Sequence, residues 1–428
     1  MNRVGWRFFD LKKYTLNKHQ KDLVSFFNKT PYMGTLLWHE MGLGKTLTAL
    51  HCAKYYRKAL VEKTGATKIR TLILCPKSII IVWKRELEKW MPDFERYVDV
   101  ESYSQLHNVH KSIRYVDYRF VILDESHNLR NLGTQRIKNF QKCLVSLQHT
   151  GFKHGRFMLL SGTPQVNSGL DWFVPYSLCI ATSPAEAVAY LTNKKRIKAW
   201  KFNFTQVHKT MWGLKFKGIN GKEKLTSMLK HMTHQRESKE CIDLPDKQVI
   251  TIDLKLSDDK LLNDVDISVP SSYISELEAL GRAKTPYLID YVKDVLEGKE
   301  QLVVFSMFKG PLYALQEAVE GVELVTGDLN LKEKQAVIDR FREGKTRVLA
   351  MTYATGSEGL NLQFCRHAVY HSYPWTYASF EQAQARIHRL GQTQKTTHHI
   401  IVSGANDKHI FQTVMSKKKS VEIVKEKI

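Results

Sequence analysis

Short, wholly apolar runs recur along the first half of the chain, each closing on small or polar residues. Thr35-Leu36-Leu37-Trp38, Thr71-Leu72-Ile73-Leu74-Cys75, Phe120-Val121-Ile122-Leu123 and Phe157-Met158-Leu159-Leu160 are too short for helices and show no alternation. Such runs predict strands buried on both faces, as in a parallel sheet covered by helices. The segments after Thr46 and after Ser78, the latter carrying Trp83, Glu86, Leu87 and Trp90, space their apolar residues as helices do. The pattern returns in the second half. Leu302–Ser306, Val322–Val325, Thr346–Met351, His367–Tyr370 and His399–Val402 read as strands, with a helix over Leu331–Phe341. Pro286 is predicted to open a helix, where its missing N–H costs nothing. Strand alternating with helix in both halves predicts an α/β chain.

The middle of the chain breaks this rhythm. From Asn193 to Glu240 it carries 13 Lys or Arg against three Glu, with Trp200, Phe202, Phe204, Trp212 and Phe216 interleaved. Basic residues mixed with aromatics suit a nucleic-acid surface, and equally a solvated helical protrusion with its own small core. Residues 258–270 are polar and aperiodic and read as a linker region. The expected division is therefore 1–192, 193–283 and 284–428.

Composition sharpens this picture at two points. The 428 residues carry a formal charge of +22, an excess that favours a polyanionic partner, most simply nucleic acid. The six cysteines contain no Cys-x-x-Cys pair and predict free thiols in a reducing compartment. Met1–Arg7 has no signal-peptide core, and no apolar run is long enough to span a membrane. An intracellular, soluble protein of the cytoplasm, nucleoid or nucleus is expected.

Chemistry gathers where the apolar runs end. After the first strand comes His39-Glu40-Met41-Gly42-Leu43-Gly44-Lys45-Thr46, then a helix. In that context the glycines let backbone N–H groups close on phosphate oxygens at a helix N-terminus. Lys45 would reach the β- and γ-phosphates, and the Thr46 hydroxyl would bind Mg²⁺. Asp124-Glu125-Ser126-His127 closes the third run, where an acidic pair is costly unless it meets a cation. Asp124 would hold Mg²⁺, directly or through water, and Glu125 would polarise the attacking water. Ser161-Gly162-Thr163-Pro164 closes the fourth and could sense the nucleotide. Gln20 could pair with an adenine edge, or be a plain helix-surface glutamine. Lys77 and Ser78 suit a phosphodiester backbone or a capped core helix. Arg386 and Arg389, three apart on one helical face, could supply charge to a γ-phosphate or be a surface pair. The His231/His234 and His107/His110 pairs lack a matching Cys or carboxylate cluster for zinc, and no Gly-x-Ser-x-Gly elbow occurs.

In order, these motifs resemble those of the superfamily 2 nucleic-acid motors, specifically the SWI/SNF-like double-stranded-DNA translocases, across nearly the whole chain. Leu16–Gln20 is similar to the Q motif and Glu40–Thr46 to motif I. Cys75–Ser78 through Trp83 and Glu86 is similar to motif Ia, and Glu101–Tyr103 to motif Ib. Asp124–His127, Ser161–Asn167, Phe305-Ser306, Thr355–Leu362 and Gln382–Gln392 resemble motifs II to VI. Met211–Gly218, Leu229–Arg236 and Asp243–Lys247 resemble the annealing-helicase, fork-remodelling branch. Two positions depart: His39 stands where the family usually has Asp, and Ser357 where motif V usually has Gly.

The resemblance implies two tandem RecA-like lobes, parallel sheets flanked by helices, with a basic helical protrusion and linker between them. It implies ATP and Mg²⁺, with Lys45, Asp124, Glu125, Arg386 and Arg389 catalytic. The nucleotide would be held by Gln20, Gly42, Leu43, Gly44, Lys45, Thr46, Asp124, Gly359 and Arg389, and the metal by Thr46 and Asp124. DNA contacts are carried over to Lys77, Ser78, Trp83, Ser102, Tyr103, Asn167, Ser306, Thr352 and Gly356. Coupling falls to His127, Ser161, Gly162, Thr163 and Gln382. The implied function is a DNA-dependent ATPase that moves along duplex or branched DNA with little regard to sequence, remodelling or reannealing forks. A strand-separating helicase and a remodeller that displaces DNA-bound protein remain alternatives, and a protein partner could supply substrate specificity. Intact Lys45, Asp124, Glu125 and Arg389 argue against a non-enzymatic scaffold.

Overall fold

The four apolar runs of the first half are strands of one sheet in the computed structural model. The structure describes residues 15–152, 154–162, 168–210, 213–241, 243–255, 270–298, 300–356 and 360–425. Strands β1 (Gly34–His39), β2 (Arg70–Cys75), β3 (Val98–Ser102), β4 (Tyr118–Leu123) and β5 (Arg156–Leu160) are joined by β8 (Thr233–Arg236). Their order is β3-β2-β4-β5-β1-β8, and every pairing is parallel. The continuous apolar runs have a simple cause. Leu36, Trp38, Leu72, Leu74, Val121, Leu123, Phe157 and Leu159 enter one core. Their neighbours Leu37, Ile73, Phe120, Ile122, Met158 and Leu160 enter another on the opposite face. With both faces covered, apolar residues fill most positions, and Thr35, His39 and Thr71 are buried polar exceptions.

The second half repeats the plan. Strands β9 (Lys247–Leu254), β10 (Leu302–Ser306), β11 (Val322–Val325), β12 (Val348–Thr352), β13 (His367–Tyr370) and β14 (Thr396–Ser403) form a parallel sheet in the order β11-β12-β10-β13-β14-β9. Val303, Phe305, Leu349 and Met351 pack on one side, and Leu302, Val304, Val348 and Ala350 on the other.

The chain divides into two compact units, one running to Cys241 and including Ser420–Ile428, the other Ile242–Lys419. This differs from the expected boundaries. The segment 193–283 is not set apart from the sheets: β8 closes the first sheet and β9 the second. Both are edge strands, and β9 is largely exposed, so neither needs an apolar run to form. The same reasoning covers β3, whose middle residues are half-buried. Between Lys194–Phe204 and Lys222–Lys230, two helices of the expected protrusion, stands an antiparallel hairpin, β6 (Gln206–Thr210) with β7 (Gly213–Lys217). Pro286 does not open a helix but lies inside one, Pro270–Glu297. The expected linker, apart from Pro270, lies outside the described residues. No helix among the described residues is long and apolar enough to cross a membrane.

Candidate functional site

Polar side chains converge at the carboxyl ends of three neighbouring strands, β4, β5 and β1. Backbone bonds tie these ends to neighbouring strands: Ser161 N–H donates to the Leu37 carbonyl on β1 at 3.2 Å and Asp124 N–H to that of Leu74 on β2 at 2.8 Å. The loop after β1 turns on Gly42 and Gly44, with φ of 83° and 70°, a region that side chains with a Cβ rarely enter. A Cβ on Gly44 would also lie 2.6 Å from Gln20 Nε2. The helix Lys45–Thr64 follows, with Gly44 at its N-cap. Lys45 Nζ donates to the carbonyls of His39 at 2.9 Å and Glu40 at 3.1 Å. Its ammonium is thus curled over its own loop, on neutral acceptors weaker than a phosphate. Thr46 is half-buried beside it, and a Cβ on Gly162 would lie 3.6 Å from Lys45 Nζ.

Gln20 is no surface residue. Buried, it accepts from Asn17 N–H through its amide oxygen at 2.9 Å and turns its amide nitrogen to the Gly44 carbonyl at 3.5 Å. His19 beside it bonds the carbonyl of Leu43, also buried, at 3.0 Å. The helix Lys18–Lys29 therefore braces the glycine loop from within.

Asp124 receives the Trp83 indole N–H on one carboxylate oxygen at 2.8 Å and the Glu125 N–H on the other at 2.9 Å. Tyr103 donates its hydroxyl to the Asp124 carbonyl at 2.8 Å. Burial, then the neighbouring Glu125 charge, pushes the Asp124 carboxyl up from 3.8 to about 6, against the Trp83 bond and Lys45. A carboxyl in this environment calls for a cation. Without one, the native state binds more protons than the unfolded chain between the two values, so stability falls as pH rises through that window. Asp124→Asn is expected to flatten this slope. Thermal melts of metal-free protein from about pH 4 to about pH 7 check it, and equal slopes in the two proteins would refute the assignment.

Glu125 sits in the left-handed region, φ 47° and ψ 50°, a conformation that costs about 1–3 kcal/mol for such a residue and recurs at functional sites. Its Oε2 lies 3.2 Å from His127 Nδ1, which also lies 3.3 Å from the Ser161 hydroxyl. His127 therefore joins the ends of β4 and β5.

Sequence reading missed the contacts behind the loop. His39 Nε2 bonds His234 Nδ1 on β8 at 2.8 Å. Burial and then His234 push His39 down to about 2, while burial and Arg236 push His234 down to about 4. Both rings are neutral near pH 7, one donating and one accepting. Ser238 N–H bonds the Glu40 carboxylate at 2.9 Å. The polar spelling Thr233-His234-Gln235-Arg236 gave no strand signal, and nothing in sequence pairs it with His39.

Several expected DNA contacts are internal. Trp83, Ser102 and Tyr103 are buried, two of them supporting Asp124 and the third sharing a hydroxyl contact with Ser104 at 2.7 Å. Lys77 is exposed and Ser78 half-buried. In the second unit the Ser306 hydroxyl contacts Ser372 Oγ at 3.1 Å, and that of Thr352 contacts Thr355 Oγ1 at 3.0 Å. Gly356 is buried, and a Cβ there would lie 2.9 Å from the Phe305 ring, too close to fit without a shift. These side chains face the interior because polar groups at strand ends satisfy one another there.

The two arginines part company. Arg386 is buried, donating Nε to the Gly356 carbonyl at 2.7 Å and reaching Leu360 O at 3.5 Å. It holds a backbone rather than presenting its charge. Arg389 is half-exposed, bonding Asn361 Oδ1 at 2.5 Å. Gln382 is buried in the helix Tyr377–Gln384. Thr163, Asn167, Ser357 and Gly359 lie outside the described residues.

Residues 19–100 match the SNF2-related domain, and residues 284–391 the Helicase conserved C-terminal domain. The chain is 25% identical over 423 residues to the SWI/SNF-related matrix-associated actin-dependent regulator of chromatin subfamily A-like protein 1 of Xenopus laevis, covering 89% of this chain and 41% of that protein. It is 27% identical over 459 residues to the uncharacterized ATP-dependent helicase YqhH of Bacillus subtilis, covering 95% of this chain and 79% of that one. Identity to the DNA annealing helicase and endonuclease ZRANB3 of Mus musculus is 22% over 430 residues, 89% of this chain and 38% of the relative. The fold is shared with the helicase MrfA, solved bound to DNA, at a TM-score of 0.58 and 14% identity over 94% of this chain and 48% of that one. The chain spans about two fifths of the length of the first of these relatives.

Proposed function

We propose that this chain, which matches the SNF2-related and helicase C-terminal domains over residues 19–100 and 284–391, is a motor that hydrolyses ATP to move along double-stranded DNA. One observation carries the reading: Lys45, Asp124, Glu125 and the His127–Ser161 pair stand together at the carboxyl ends of β1, β4 and β5, the edge where α/β sheets bind ligands. Gly42, Gly44 and the N-terminus of Lys45–Thr64 suit the phosphates. Lys45 would exchange its two carbonyl acceptors for phosphate oxygens. Mg²⁺, held by Thr46 and Asp124, would neutralise phosphate charge. Glu125 orients and deprotonates the attacking water, and His127 relays the outcome to Ser161. Arg389, half-exposed and bonded to Asn361, is assigned to stabilising transition-state charge, while Arg386 holds the Gly356 carbonyl.

Lys77 and Ser78 would hold DNA phosphates, which position a protein without specifying bases. The name of one relative, DNA annealing helicase and endonuclease, favours DNA as the substrate. ATPase rates against duplex, single-stranded and forked DNA and RNA test this. Duplex or fork stimulation supports it, and stimulation by RNA alone would overturn it. DNA affinity should also fall steeply with salt, by about 10³-fold between roughly 50 and 200 mM if about six phosphates are neutralised. Affinity unchanged across that range would contradict the proposed grip.

A further inference from the structure

We propose that the β6–β7 hairpin, with the helix Lys194–Phe204 against which it packs, is a second contact surface for the backbone of double-stranded DNA. This rests on the DNA reading above and extends it to a surface outside motifs I to VI.

Charge is the first observation. From Asn193 to Lys222 the chain contains no Asp or Glu, yet it carries Lys194, Lys195, Arg196, Lys198, Lys201, Lys209, Lys215, Lys217 and Lys222. A merely solvated face mixes both signs; a stretch of one sign repels itself unless a polyanion meets it. Lys194, Lys195, Lys198, Lys209 and Lys215 are exposed.

The strand register sorts the hairpin into two faces. Val207 pairs with Phe216 and Lys209 with Leu214 on one face, while His208 pairs with Lys215 on the other. Phe216 meets Phe202 edge-on at 5.5 Å between ring centres and lies 5.4 Å from Lys201 Nζ, so that end rests on the helix. Leu214, opposite Lys209, is 51% exposed, and Val207, opposite Phe216, is 40% exposed. Lysines for phosphates flanking apolar groups for sugars and bases are what a nucleic acid accepts. An acidic protein would match the charge alone.

Anchorage is the second observation. A lone two-stranded ribbon is marginal in water, and this one is tied at its foot. Gly169 N–H donates to the Gly218 carbonyl at 2.9 Å, and Asn220 N–H to that of Phe204 at 3.1 Å. Trp200 donates its indole N–H to the Gly169 carbonyl at 3.0 Å. The approach is so close that a Cβ on Gly169 would lie 1.9 Å from the Phe204 oxygen. Ser168, bridged to Gly218, directly follows the motif III segment that begins at Ser161.

The test is the full chain carrying Lys209→Gln with Lys215→Gln, and a second variant with both changed to Glu. The Gln pair should lower the slope of log affinity against log salt by about 1 to 2, because Lys209 and Lys215 leave the hairpin on opposite faces and the surface needs only one of them. The Glu pair should weaken duplex binding about 10- to 100-fold at low salt. ATP hydrolysis without DNA should be unchanged in both. More DNA should be needed for half-maximal stimulation, with the same maximal rate at saturation, which a loss of folding would not produce. Unchanged slope and affinity in both variants would overturn the proposal and point to a protein partner for this surface. A wild-type chain that binds no DNA would instead sink the motor reading, so the two failures are separable.

Discussion

Glu125→Gln is expected to bind ATP as the wild type does and to turn it over about 10²- to 10⁴-fold more slowly, the range for loss of a positioned general base. The change keeps the shape of the side chain and removes the oxygen charge that would draw a proton from water. Glu125 is held for this task by its left-handed backbone and by His127 at 3.2 Å. Gln can adopt the same backbone, so binding should survive. Nucleotide titration beside steady-state hydrolysis checks the separation. Hydrolysis near the wild-type rate would remove Glu125 from the chemistry and leave the acidic pair a structural one.

Substituting the two arginines separately should give unlike results. Arg389→Ala is expected to cut the maximal ATPase rate by about 10³-fold or more, the effect of losing an arginine that stabilises transition-state charge. The melting temperature should hardly move, because Arg389 is half-exposed and its described bond is to Asn361. Arg386→Ala should act first on stability. Its buried guanidinium bonds the Gly356 carbonyl at 2.7 Å, and hydrogen bonds from a charged group are worth about 1.5–3 kcal/mol. The second unit should therefore melt earlier. Rates and melts of both variants decide the matter. If Arg386→Ala abolished turnover with an unchanged melt while Arg389→Ala was silent, the roles assigned here would be reversed.

Legibility in the sequence followed burial. The strands sandwiched between two cores, such as Leu36–Trp38 or Val303–Phe305, announced themselves because nearly every position is apolar. Strands β3, β8 and β9 did not, since an edge strand is held by backbone pairing and tolerates Thr-His-Gln-Arg or a largely exposed run. Pro286 misled for a related reason: packing of the long helix outweighs one lost backbone bond. The gathering of Lys45, Asp124 and Glu125 at strand ends was legible because the phosphate site proposed here needs glycine, lysine and carboxylate at fixed points of a strand–loop–helix unit. The proposed DNA contacts at Trp83, Tyr103 and Ser306 were not, because position within a motif does not say which way a side chain turns.

By itself, then, the sequence determined the two α/β halves and the residues able to meet a nucleotide, since periodicity and glycine placement are local properties of the chain. Tertiary structure alone decided the rest. It turned Trp83 and Tyr103 inward to support Asp124 and paired His39 with His234 across 195 residues. It also gave the two arginines different surroundings and raised a basic hairpin on a rigid foot. Burial and hydrogen bonding between distant residues are set by packing, and no local pattern of residues encodes them.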